Sequence, residues 1–165
     1  MENAEIRETL RELEQVWRRV GAAPESPEPR RGQSSGAQEM LAALIRENLY
    51  AAQRYRLLSR RTRGGASAHL LAMAAERARD ARALQEQYYL LTGDSLPMRR
   101  ETPEVPGTLR TLRLAWAEEA AYQAALAALV PFAAEPEDEQ ALREAAARAG
   151  GRRTALRALL RETMR

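Results

Sequence analysis

The stretch ERARDARALQEQYYLLTG, residues 76–93, decides how this chain is read. It forms the second half of a long helix, from about Ser67 to Leu91, and Thr92-Gly93 is the stop signal that closes it. Arg77 and Asp80 stand three residues apart in its middle, so both side chains share one face of the helix. A basic and an acidic group on the face of a helix that must also pack calls for partners on neighbouring elements.

Those elements follow on either side. Upstream, Leu41, Leu44, Ile45, Leu49, Ala52, Tyr55 and Leu58 recur at helical spacing from about Gln38 to Arg61, and Arg63-Gly64-Gly65 ends the run. Downstream, DSLPMRRETPEVPG, residues 94–107, carries three prolines and connects without helix. A third helix is predicted from Thr108 to Val130, broken by Pro131. A fourth starts at Pro136 with acids in its first turn, as a helix N-terminus favours, and runs to the C-terminus. Gly150-Gly151 lies inside it and predicts a kink or a split. No stretch alternates with period two. Two helix hairpins joined by a longer crossover describe an all-α four-helix bundle over residues 37–165.

Ahead of the bundle, Ile6, Leu10, Leu13, Trp17 and Val20 lay an apolar stripe along a helix within residues 1–20. Residues 21–36, rich in Pro, Ser and Gly, read as a flexible linker. There is also an internal repeat. Asn48, Ala51, Tyr55 and Leu58 match Glu118, Ala121, Ala125 and Ala128 at an offset of 70, and the second and fourth helices match at an offset of 74. Two similar helix pairs predict a pseudo-twofold bundle.

Composition removes whole classes of chemistry. The 165 residues include no cysteine, which excludes disulfides, thiolate metal sites and cysteine nucleophiles. All 26 basic residues are arginine, set against 23 acids for a net charge of +3, too little excess for a nucleic-acid binder. The arginines near the end of the first helix, Arg54, Arg56, Arg60, Arg61 and Arg63, fall on several faces rather than one patch. The longest uncharged run, residues 120–134, is fifteen residues and too short to span a bilayer. No membrane association is expected, and a cytoplasmic location is. No phosphate loop, nucleophile elbow or His-x-x-x-His pair occurs; the one histidine, His69, reads as a partly exposed helix residue.

The residues 46–60, RENLYAAQRYRLLSR, together with DARALQEQYYLLTG and EEAAYQAALAAL, resemble the first three helices of the rubrerythrin branch of the ferritin-like superfamily. The resemblance covers about residues 38–165. It implies a di-iron four-helix bundle with six ligands: a Glu on the first and third helices and a Glu-x-x-His on the second and fourth. Carried onto this sequence, the ligand positions are Asn48, Arg77 and Asp80, Glu118, and Gly151 and Thr154. Only Glu118 retains the ligand type. The expectation is therefore a bundle without metal or other cofactor and without catalytic residues, in which Arg77 takes the place of iron and bridges Asp80 and Glu118, with hydrogen bonds from Asn48 and Thr154. The function expected is a scaffold or interaction module, forming a homodimer or holding a protein partner. The alternative is an iron or manganese oxidoreductase of peroxidase or ferroxidase type, with a ligand set drawn from Glu47, Glu76, Asp80, Glu118 and Glu119.

Overall fold

The computed structural model describes residues 33–165. The amphipathic segment within residues 1–20 and most of the linker lie outside the described residues. Residues 33–36, expected in the linker, form the first turn of a helix.

Four α-helices and one 3-10 turn make up the described chain, with no strand among the described residues: α1 (Gln33–Arg61), α2 (Gly64–Thr92), α3 (Thr108–Leu129), the turn Val130–Phe132, and α4 (Pro136–Thr163). The local sequence explains their ends. Gly64 opens α2 at φ 60°, where a side chain would be strained, and Ser67 Oγ donates to the Ser59 carbonyl at 3.0 Å, stitching the α1–α2 hairpin. Gly93 closes α2 in the left-handed conformation, φ 77°, its N–H donating to the Tyr89 carbonyl at 2.7 Å. Pro136 occupies the first turn of α4, followed by Glu137, Asp138 and Glu139.

The helix is not split at Gly150-Gly151; α4 runs through both glycines as one element. Gly150 has a packing reason, since a Cβ there would come within 3.3 Å of the Gln123 amide on α3. Gly151 is exposed and a Cβ would meet nothing within 4 Å. Gly151→Ala is therefore expected to stabilise the protein by up to about 1 kcal/mol in a urea melt, through helix propensity alone.

α1 packs chiefly on α2 and α3 on α4, and the hairpins join through α1–α3 and α2–α4 contacts. Two apolar clusters fill the interior. One gathers Leu41, Leu44 and Ile45 from early α1 with Leu84 from late α2, Leu126 from late α3 and Leu142 from early α4. The other gathers Tyr55 and Leu58 from late α1, Leu70 and Met73 from early α2, Leu112 from early α3 and Leu156 from late α4. So α2 ends at one end of the bundle while α3 begins at the other. The connection between them travels the length of the molecule, where Val105 is buried and its carbonyl accepts a hydrogen bond from Arg61. Helices packed side by side are antiparallel; the diagonal pairs, α1 with α4 and α2 with α3, run parallel. The layer between the clusters holds most of the buried polar residues.

Candidate functional site

Each of the four helices sends a buried polar side chain into that middle layer: Asn48 from α1, Arg77 and Asp80 from α2, Glu119 from α3 and Arg152 from α4. Arg77 is the largest fully buried side chain of the described chain. Its Nε donates to Glu119 Oε1 at 3.0 Å and its Nη1 to Asn48 Oδ1 at 3.0 Å. Arg152 approaches the same Glu119 oxygen, Nε to Oε1 at 3.0 Å, and extends to Asp80 Oδ2 at 3.3 Å and Glu76 Oε2 at 3.1 Å. Arg148 closes the outer side of Asp80 at 2.8 Å. Three guanidiniums and three carboxylates form one connected lattice across α2, α3 and α4.

Two tyrosines complete it. Tyr55 donates its hydroxyl proton to Glu119 Oε1 at 2.7 Å, while Tyr122 accepts from Asn48 Nδ2 at 3.0 Å and donates to Asp80 Oδ2 at 3.3 Å. The Arg77 guanidinium lies over the Tyr122 ring, 4.0 Å from its centroid. That face compensates in part for Arg77 Nη2, which is buried and has no hydrogen-bond partner. Burial and the neighbouring Glu119 push the Tyr55 hydroxyl well above its ordinary pKa; burial and Asp80 do the same to Tyr122. Both stay protonated and remain donors.

The third-helix position requires a correction. Arg77 pairs with Glu119, not Glu118, and Asp80 is held by Arg152 and Arg148. Adjacent residues on a helix differ by about 100° in direction. Glu118 accordingly points to the flank of the bundle, half-buried, where both its oxygens accept from Arg54. The fourth helix is corrected by the same single step: Gly151 and Thr154 are exposed, Thr154 bonds only to the Gly150 carbonyl, and Arg152 faces inward. His69 is exposed. Among the run of arginines ending α1, Arg54 is buried in its pair with Glu118, which removes it from any open basic patch, and Arg61 donates to the Val105 carbonyl.

Sequence reasoning placed Arg77, Asp80 and Asn48 inward but gave no inward role to Tyr122, Arg148 or Arg152 and left Glu119 only in the alternative ligand set. The apolar spacing carried the missing signal. Glu119, Tyr122, Leu126 and Leu129 are the buried face of α3, and each lies 71 residues after its counterpart among Asn48, Ala51, Tyr55 and Leu58. Arg152 likewise lies 75 residues after Arg77.

Electrostatics separates two of the acids. Burial alone would raise the Glu119 carboxyl, but Arg77, Arg152 and the hydrogen bonds from Arg152 and Tyr55 outweigh it and hold the pKa below the ordinary carboxylate value. Glu47, half-buried beside this layer, is pushed up by burial and by Glu118. The signs of their contributions to stability are opposite. A depressed folded-state pKa, as at Glu119, stabilises above the unfolded carboxylate pKa, and that contribution is lost as pH falls through the folded value. A raised one, as at Glu47, contributes below the unfolded pKa and is lost as pH rises through the folded value. Glu47→Gln is thus expected to raise Tm at pH 7, with the gain vanishing below about pH 4.3, the unfolded carboxylate value. Thermal melts from pH 3 to 8 check this; equal Tm at pH 7 would place Glu47 in water.

As a metal centre the layer is poorly equipped. Glu76, Asp80, Glu118 and Glu119, four of the five carboxylates in the alternative ligand set, are each paired with arginine. Among the described residues no group of three or more His, Asp or Glu is placed to hold a metal ion. None of the helices in the described residues is long and apolar enough to cross a membrane. Compared with known proteins, the chain matches no family model, no curated protein and no solved structure.

Proposed function

We propose that this chain is a ferritin-like bundle in which a lattice of arginines and carboxylates stands where relatives of that kind hold two metal ions, and that it acts as a non-catalytic scaffold or interaction module. One observation carries the reading. Arg77 and Arg152, from two helices on opposite hairpins, both place Nε 3.0 Å from the same Glu119 oxygen at mid-bundle. Permanently charged groups there do what cations do in a di-metal bundle: they neutralise inward carboxylates and tie the helices together. The single long crossover between antiparallel hairpins supports the ferritin-like assignment, since that connection distinguishes such folds from simple up-and-down bundles.

The residues present do not fit a di-iron or di-manganese centre. A metal ion near Glu119 would face two guanidiniums at hydrogen-bond distance from its ligand oxygen. The alternative oxidoreductase therefore gains no support from the site, and no redox step is assigned to it. Elemental analysis tests the reading, on protein made in iron- and manganese-supplemented cells and purified without chelator or histidine tag. Metal far below the roughly two ions per bundle of a di-metal site is expected. Stoichiometric iron or manganese would restore the enzyme reading.

A further inference from the structure

Apolar surface gathers at the end of the bundle where α1 begins. Leu90 is 69% exposed, Tyr89 56% and Phe132 39%. Leu90 and Leu91 at the end of α2, with Phe132 and Ala133 after α3, flank a shallow groove floored by Leu41 of α1, and Asp138 of α4 stands on its rim.

We propose that this groove docks residues 3–20 of the same chain. The segment's apolar stripe, Ile6, Leu10, Leu13, Trp17 and Val20, needs an apolar surface to cover it. As a helix it would be about 27 Å long, enough to cross two helices packed about 10 Å apart. Position favours it too. Residues 21–32 lead directly into α1, whose residue Leu41, about two turns in, forms the groove floor. Twelve residues reach at most about 40 Å, enough for the segment to turn back onto the first two turns of α1.

Charge gives the docking a direction. Arg18 and Arg19 end the stripe, and the first turn of α4, which contributes Asp138 to the rim, carries Glu137, Asp138 and Glu139. Tethering selects the occupant. A tether of twelve residues presents its segment at an effective concentration in the millimolar range, far above that of a second copy in dilute solution. The groove is filled in cis.

The absence of cysteine makes the test direct. In the full chain, Leu90→Cys is combined in turn with Leu10→Cys, Leu13→Cys and Trp17→Cys; Leu90 is exposed, so its replacement leaves the core intact. Mild oxidation is expected to give an intramolecular disulfide in at least one pair, seen as a faster monomer on a non-reducing gel. Disulfide-linked dimers in place of that band would assign the groove to a second copy and overturn the proposal, as would no crosslink in all three. Independently, Leu90→Glu is expected to shift Trp17 emission to the red and raise its quenching by acrylamide. Trp116 packs with the cluster at the other end of the bundle and is insensitive to the change. Unchanged emission and quenching would show that the segment does not sit on Leu90.

Discussion

Glu119→Gln is expected to destabilise the protein by about 3–5 kcal/mol, the cost of breaking a buried ion pair by removing one partner. The amide is nearly the size of the carboxylate, so no cavity contributes. What changes is the charge facing two guanidiniums that cannot release a proton. Arg152 keeps Asp80 and Glu76. Arg77, with no exposed side-chain surface, loses its one carboxylate partner and keeps only neutral ones, the amide oxygen at position 119, the Asn48 carbonyl and the Tyr122 ring. Most of the loss therefore belongs to Arg77, and this has a second consequence. Arg77→Met alone costs less than Glu119→Gln, because Glu119 retains Arg152 and Tyr55, and adding Arg77→Met to Glu119→Gln recovers stability rather than losing more. Equilibrium urea unfolding of the four proteins closes the double-mutant cycle. A Glu119→Gln variant within about 0.5 kcal/mol of the parent, as for an ordinary surface change, would mean that water reaches Arg77 and that the lattice does not hold the bundle.

The sequence shows how far such a layer can be read in advance. Arg77 and Asp80 were legible because their helix has one well-defined end: Gly93 marks its stop, and the buried face holds Leu84 and Leu70 as well. Counting from a defined end gave the correct phase. The third and fourth helices offered weaker anchors. α3 is rich in alanine, and Ala121, Ala125 and Ala128 match Ala51, Tyr55 and Leu58 only as small residues, which any helix face accepts. Tyr122, Leu126 and Leu129 are larger, and size is what commits a residue to the core. Weighting them shifts the offset from 70 to 71 and turns Glu119 inward. In α4 an offset of 74 from α2 puts Gly151 inward, whereas the observed register is one residue further on and brings Arg152 inside. Both errors were single-residue slips, each about 100° of rotation, enough to exchange a half-buried flank for the bundle centre.

The corrected register makes the ferritin-like proposal testable by construction. Asn48 and Glu119 become the single-ligand positions of α1 and α3, while Arg77 with Asp80, and Arg152 with Ala155, become the paired positions of α2 and α4. Asn48→Glu, Arg77→Glu, Asp80→His, Arg152→Glu and Ala155→His, with Glu119 kept, would then supply the six-ligand set of a di-metal bundle. Without metal, four inward carboxylates repel one another and lose their guanidinium partners, so the variant is expected to melt well below the parent. Arg148, partly exposed, can turn its head to solvent once Asp80 is gone. Added iron(II) or manganese(II) is expected to bind at about two ions per chain and to raise Tm as metal concentration rises, because only the folded state presents the site. Glu119→Gln in this background would weaken binding, whereas Glu118→Gln, one step around the helix, would leave it nearly unchanged. A variant that is helical by circular dichroism in manganese yet holds no metal would show that these positions do not converge as ligands. In that case the ferritin-like proposal fails, and the arginine lattice would be this fold's own way of filling a polar mid-layer.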